Sequence, residues 1–305
     1  MPYSPRQFAY RIMSRIHRVR DLTKRGWLYL LGQQMPSLEV YYDESNNRLV
    51  YYGKKASPEF WDNHWNVDNF KSVVEASKND KFILDNTRRY LKKGRILEGG
   101  CGVGSNVYCL HYNGYSAFGV DFAKNTVANI NKYFPELNVA AGDVRNLEQF
   151  ENESFEGYWS LGVIEHFYEG YEDILIEMKR VVKKGGYVFL TFPYMSPLRR
   201  FKARFGRYKK FENNSCELKD FYQFALDDAL VKNDFEKYGF ALKYRKPFEG
   251  IKGLKDEITV FKPILQRLYD NRGQLSFIYF LRSLLSNLLS YISSHNILFV
   301  FEQSR

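Results

Sequence analysis

The chain has 305 residues, of which 45% are hydrophobic and 17% aromatic, with a formal net charge of +10. This suits one large domain, or a domain with additions, and supplies ample material for a core. There is no run of about 18 apolar residues, which excludes a spanning helix, and the basic N-terminus lacks the apolar stretch of a secretory signal. The three cysteines, Cys101, Cys109 and Cys216, form neither a C-x-x-C pair nor a metal spacing with histidine, so reduced thiols in a cytoplasmic protein are expected.

In chain order, Phe8, Ile12, Ile16 and Val19 recur at helical spacing among Arg6, Arg11, Arg15, Arg18, Arg20, Lys24 and Arg25. The pattern predicts a basic amphipathic helix. Such a charge run is either a solvated face or a contact for anionic lipid head groups or a phosphate-bearing substrate. A short apolar patch follows at Trp27 to Leu31. Residues 38–53 read as two aromatic strands around a polar turn. Phe60 to Trp65 opens a helical stretch, and another helix is expected near Asp80 to Lys93.

The run R-I-L-E-G-G-C-G-V-G-S-N spans Arg95 to Asn106. It predicts a buried strand at Ile96 and Leu97, then Glu98, a glycine turn and a helix start. Glycine allows close approach of backbone to a ligand and permits positive φ. A helix start behind such a turn offers free N–H groups to an electronegative partner. The spacing does not match the dinucleotide fingerprint, because Ser105 stands where its third glycine belongs. Asn113 and Gly114 end the helix. Ala117 to Val120 forms a second strand ending in Asp121, and Val139 to Val144 a third, with Asp143 at its end. Two longer segments, Ser154 to His166 and Val181 to Pro193, supply further strands.

Residues 194–224 interrupt the alternation and contain a second basic run, Arg199 to Lys210. A helix over 226–238, Gly239 and a strand over 240–244 follow. Leu275, Ile278, Leu281, Leu285, Leu288 and Ile292 predict an amphipathic helix within 254–292, broken by Arg282, before a buried strand at 296–302. Alternating strands and helices argue for a parallel sheet covered on both faces.

The ordered set, from about Trp61 to Pro193, resembles the class I S-adenosylmethionine (SAM) dependent methyltransferases. The glycine run resembles their first motif. Ser154 to His166 is similar to their F-D-x-V-x-S-x-x-V-L-E-H element, with Glu156 and Gly157 as departures. Val181 to Pro193 is similar to the segment opening L-K-P-G-G, with Lys184 in place of proline. The resemblance implies an α/β fold: a seven-stranded Rossmann-like sheet with helices on both faces and the last strand antiparallel between the fifth and sixth. Residues 1–58 would be a basic extension of helix and hairpin. Residues 59–305 would be the methyltransferase domain, with substrate-side insertions at about 194–224 and 254–292. A helical insertion would sit in the final hairpin.

The resemblance also implies roles. Gly100, Cys101 and Gly102 would pass beneath the amino-acid part and sugar of SAM, and Glu98 would orient the turn and the ammonium. Asp121 would accept from the ribose hydroxyls, and Phe122 would lie against the adenine. Asp143 would accept from the adenine amino group near the Val144 N–H, and Leu161 would line the floor. For methyl transfer to oxygen, His166 is the candidate base, because an imidazole titrates near neutrality. His64, between Trp61 and Trp65, is the second candidate. Some quinone O-methyltransferases with a related E-H segment bind a divalent metal through an acid four residues before the glutamate. Leu161 occupies that position here, so no metal is expected.

The expected acceptor is a small molecule, or a group on a sugar, glycan or lipid, with peripheral contact to an anionic membrane. Nucleic acid ranks lower, since no added RNA-binding module appears and the strand-four element lacks an N-P-P-Y type sequence. An RNA or protein methyltransferase, a basic binding module with a degenerate site, and a nicotinamide-dependent oxidoreductase remain as rivals.

Overall fold

The structure, a computed structural model, describes residues 38–53, 55–212, 220–270 and 276–304. The basic helix expected within 1–31 and the patch at Trp27 to Leu31 lie outside the described residues.

The chain opens with β1 (Glu39–Asp43) and β2 (Arg48–Tyr52), then α1 (Pro58–Trp65), α2 (Phe70–Glu75) and α3 (Lys81–Tyr90). Next come β3 (Arg95–Gly99), α4 (Ser105–His111), β4 (Ser116–Asp121), α5 (Lys124–Tyr133), β5 (Asn138–Ala141) and β6 (Phe155–Leu161). A single 3₁₀ turn (Ile164–His166), α6 (Glu172–Val181), β7 (Val182–Pro193), α7 (Pro197–Arg204) and β8 (Lys209–Lys210) follow. The last third holds β9 (Phe221–Ala225), α8 (Asp228–Lys237), β10 (Phe240–Phe248), α9 (Gly250–Glu257), α10 (Lys262–Asp270), α11 (Ser276–Ser293) and β11 (Asn296–Gln303).

Seven strands form the main sheet in the order β10-β11-β7-β6-β3-β4-β5. β3, β4, β5, β6 and β7 run parallel, and β11 is antiparallel to both β7 and β10. This is the Rossmann-like arrangement, with the last strand inserted as expected. A sheet covered on both faces needs strands that are apolar on both sides. In β3 neighbouring residues serve opposite faces. Leu97 packs with Val120, Phe155 and Met178 on the α6 side, while Ile96 packs with Val107, Trp159 and Phe189 on the α3 and α4 side. Trp159 stacks on Phe189 at 4.5 Å and donates its indole N–H to Thr87 Oγ1 of α3 at 3.1 Å. The glycine turn expected before the fifth strand lies within β7. Phe155 pairs with Val182 and Gly157 with Tyr187, so residues 183–186 loop out as a bulge.

The structure corrects two readings of the C-terminal third. Residues 194–224 do not simply interrupt the fold. They supply β8 and β9, which flank the N-terminal hairpin in a four-stranded sheet of order β8-β1-β2-β9. Tyr52 of β2 packs against Phe211 and Phe221. Arg282 does not break the helix around it; α11 runs through it. Arginine is a good helix former, so its charge interrupts the apolar stripe but not the backbone.

The first cations of the second basic run, Arg199, Arg200 and Lys202, are paired within the molecule, while Arg204, Arg207, Lys209 and Lys210 stay exposed. Ser196 caps α7 and Pro197 follows it. This sets Arg199, 1% exposed, with its Nε 2.8 Å from Glu257 Oε1 and its Nη1 2.9 Å from the Tyr194 carbonyl. Lys202 and Tyr208 donate to the other Glu257 oxygen at 2.6 and 2.5 Å. Burial opposes ionisation, but Arg199 and Lys202 still hold the Glu257 carboxyl below its ordinary range. Arg200 reaches Asp227 and Asp228. Removing one partner of a buried pair strands the other charge, so Glu257→Ala should cost about 3–5 kcal/mol of stability in urea unfolding. Lys71→Met breaks only the exposed pair with Glu75 and should cost under about 1 kcal/mol.

Candidate active site

Glu98, Asp121 and Leu161 stand at the carboxyl ends of β3, β4 and β6, and Asp143 follows β5. That edge is where open α/β sheets bind ligands. Between β3 and α4, Gly100 and Gly102 have φ of +73° and +50°. A Cβ would come within 2.6 Å of Val163 at Gly100 and 2.9 Å of the Trp65 ring at Gly102, so both positions need glycine. The turn is fixed to the neighbouring strand. Gly100 and Cys101 donate their N–H groups to the Val120 carbonyl at 2.8 and 3.1 Å. Asp121, 4% exposed, accepts from Gly102 N at 2.7 Å through Oδ2 and from Ala123 N at 2.9 Å through Oδ1. Its pKa is raised, by burial first.

Glu98 is 2% exposed. Its Oε1 accepts from Asn106 Nδ2 at 2.6 Å, while its Oε2 is buried with no hydrogen-bond partner among the described residues. Burial, with the nearby Asp121 charge, pushes its pKa up to about 8. The Cys101 thiol is buried and its pKa lies well above the ordinary value, so it stays protonated. Phe122 is 36% exposed beside Asp121. Val144 is buried, and Leu161 is half-buried. Asp143 accepts from the Arg145 N–H at 2.9 Å and from its guanidinium. Burial opposes ionisation, but Arg145 keeps this carboxyl below its ordinary range.

The other candidates converge from distant parts of the chain. His166 ends the 3₁₀ turn after β6, and its Nδ1 lies 2.8 Å from the Tyr222 carbonyl oxygen on β9. A carbonyl only accepts, so in the neutral ring Nδ1 carries the proton and Nε2 keeps its lone pair. Burial, with repulsion from His64, lowers its pKa to about 4. Trp61 and Tyr222 flank the ring at 5.1 and 5.2 Å. His64, half-buried and also lowered by burial, sits between Phe60 and Trp65. Trp61 and Trp65, one helical turn apart, stack at 5.7 Å. A row of rings therefore links the glycine turn to His166: Trp65, Trp61, then His166 and Tyr222.

Three contributors were not singled out from the sequence. Tyr222 is one; its only signal was the aromatic alternation of F-Y-Q-F-A. Asp62 is the second. The position before α5, Ala123, has no capping side chain, and Asp62 of α1 caps that helix by accepting from Thr126 N at 2.9 Å and Asn125 Nδ2 at 2.9 Å. That contact lays α1 across the edge. Glu165 is the third: it is 2% exposed, its Oε2 has no hydrogen-bond partner among the described residues, and burial raises its pKa to about 8.

A family model described as a methyltransferase domain matches residues 97–190, from β3 into β7. No curated protein sequence matches the chain. Many solved structures do. The PH0226 protein from Pyrococcus horikoshii OT3 is 17% identical, with 79% of this chain and 93% of that one covered and a TM-score of 0.49. A SAM-dependent methyltransferase from Archaeoglobus fulgidus is 17% identical, with 77% and 100% covered and a TM-score of 0.46. A Haemonchus contortus phospholethanolamine N-methyltransferase 2, in complex with phosphomonomethylethanolamine and S-adenosylhomocysteine, is 17% identical, with 78% and 61% covered and a TM-score of 0.46.

The residues at this edge fit SAM. The orphaned Glu98 oxygen is a buried acceptor of the kind an ammonium satisfies. Asp121 keeps a second lone pair on each oxygen for a diol. Asp121→Ala should weaken S-adenosylhomocysteine binding by about 10- to 100-fold in calorimetry, the equivalent of about 1–3 kcal/mol. Unchanged affinity in a folded variant would reject the assignment. The raised carboxyls also set a pH dependence. Their contribution to stability is complete below the ordinary value of 4.5 and is lost as pH rises through about 8. Glu98→Gln should therefore narrow the stability gap between pH 5 and pH 8 in denaturant melts of the ligand-free protein.

Proposed function

We infer that this chain, which carries a class I SAM-dependent methyltransferase domain, transfers the methyl group to a hydroxyl oxygen of a small-molecule acceptor, free or borne on a glycan or lipid. The observation that carries the oxygen reading is the bond from His166 Nδ1 to the Tyr222 carbonyl, because it leaves Nε2 as a neutral proton acceptor beside the cofactor edge.

SAM supplies an already electrophilic sulfonium methyl, so the protein's main task is in-line placement of the acceptor. Glu98, the glycine turn and Asp121 would hold the cofactor. His166 Nε2 takes the hydroxyl proton as the oxygen attacks. The resulting imidazolium strengthens the Nδ1–H bond to the Tyr222 carbonyl, which becomes charge-assisted. The depressed pKa means that His166 releases the proton to solvent readily after transfer. His64 stands one ring away as a relay or second base. The faces of Trp61 and Tyr222 suit a sugar ring or another flat acceptor, and Trp61, Trp65 and Tyr222 also screen the reacting atoms from water.

His166→Ala should lower turnover by about two to four decades while S-adenosylhomocysteine affinity stays near normal. Because the ring is already neutral above about pH 4, the His166→Ala variant and the wild type should show the same shape of pH profile between pH 8 and pH 6. Wild-type rates in His166→Ala with the true acceptor would leave a pure positioning mechanism.

A further inference from the structure

Most of the large hydrophobic side chains that stand exposed among the described residues fall in two stretches, 201–205 and 260–292. On α11, Leu284, Leu285, Leu288, Tyr291 and Ile292 recur at helical spacing and are between 39% and 75% exposed. The opposite side of the helix is small and polar apart from Leu289, which is half-buried against Ile251 and Leu265. Ser290 Oγ accepts from Gly250 N at 3.1 Å, and Ser293 Oγ donates to the Gly250 carbonyl at 3.0 Å. A Cβ on Gly253 would lie 1.6 Å from the Ser293 carbonyl oxygen, so α9 and α11 touch backbone to backbone. A helix in water turns its apolar stripe to the core. This one turns serine inward and Leu284, Leu285 and Leu288 outward, which is the packing of helices whose outer face meets lipid.

The neighbouring elements extend the same surface. Val260 is 80% exposed and Ile264 69%, at the start of α10. On α7, which packs against α11, Phe201 and Phe205 are each 60% exposed with their rings 4.6 Å apart. Arg204, Arg207 and Lys262 are exposed beside these side chains and take no ion pair among the described residues. The exposed acid of the group, Asp256, is held by Lys252 at 3.1 Å. No helix among the described residues is long and apolar enough to cross a membrane. The helices leave the sheet at the edge that carries the site: α7 follows the carboxyl end of β7, and α9 follows that of β10, which runs parallel to β7.

We propose that α7, α10 and α11 form a docking surface for an anionic lipid bilayer. The outer face of α11 lies at the boundary of head groups and acyl chains, with Phe201 and Ile264 beside it. Arg204, Arg207 and Lys262 meet lipid phosphates. Charge decides between a bilayer and a second copy of the chain. Two copies would bring these unpaired cations together, whereas an anionic leaflet neutralises each at about 1 kcal/mol per well-placed cation. The surface does not depend on the assignment of His166 or on oxygen as the acceptor atom.

The test is co-sedimentation of the full chain with vesicles of phosphatidylcholine and phosphatidylglycerol at a ratio of about 7:3. Leu288→Asp with Tyr291→Asp changes only exposed positions, so the melt and S-adenosylhomocysteine affinity should match wild type while vesicle partitioning falls at least about tenfold. Arg204→Glu with Lys262→Glu should weaken binding to the anionic vesicles and leave residual binding to pure phosphatidylcholine unchanged. A fluorophore on Leu288→Cys should shift to the blue with vesicles. Wild-type partitioning by the Leu288→Asp, Tyr291→Asp variant would overturn the proposal and place attachment elsewhere. So would a wild-type dimer in sedimentation velocity that this variant dissolves, with no fluorophore shift on vesicles; that outcome would assign the face to a second copy.

Discussion

One carboxylate organises the ligand-binding edge. Asp121 ends β4 and accepts two backbone N–H groups, one from Gly102 in the preceding turn and one from Ala123 at the start of α5. Left-handed glycines would otherwise leave that turn loosely defined, since they lose much conformational entropy on folding. With both N–H groups held, the turn has one shape, and Trp65 can close against Gly102 without a gap. The rest of the site follows in sequence: Trp65 positions Trp61, and Trp61 meets His166. The buried carboxylate is thus structural as well as available to a ligand.

The acceptor side is assembled from pieces that the parallel sheet does not supply. α1 comes from before the first sheet strand and is tied down by Asp62. Tyr222 comes from β9, after the sheet has reached β7, and sits at a register shift against β2, between the pairs Tyr52–Phe221 and Tyr51–Gln223. The hydrogen bond at His166 therefore depends on a small second sheet whose strands are separated by well over a hundred residues. The parallel core supplies the glycine turn and its buried carboxylates, while the added sheet fixes which nitrogen of the histidine carries the proton.

The parts legible in the sequence are those whose chemistry is local. The strand and glycine turn at 95–106 and the acid ending β4 follow from neighbouring residues, while the antiparallel setting of the last strand was implied only by the family resemblance. What the sequence hid depends on partners far along the chain. Arg199 reads as a solvated or anion-binding cation until Glu257, 58 positions on, meets it. Asp62 reads as a polar residue among aromatics until α5 proves to lack its own cap. His166 looks titratable at neutral pH until Trp61 and Tyr222 enclose it. The alternation in residues 221–225 was present, but nothing nearby in the sequence named β2 as its partner.

The placement of β11 has a consequence for how the chain is made. It is the last element of the described chain, yet it lies between β7 and β10 rather than at the margin of the sheet. Leu298, Phe299, Val300 and Phe301 are almost wholly covered there. During synthesis the strands from β3 to β7 can pair as they emerge, but β7 keeps an open apolar edge and β10 has no neighbour until β11 has been made. Such an unpaired edge is a template for association with other chains. Deletion of Asn296–Gln303 would therefore remove the strand that closes the sheet between β7 and β10. The helices between β10 and β11 lengthen the interval over which the nascent chain has to keep that edge covered.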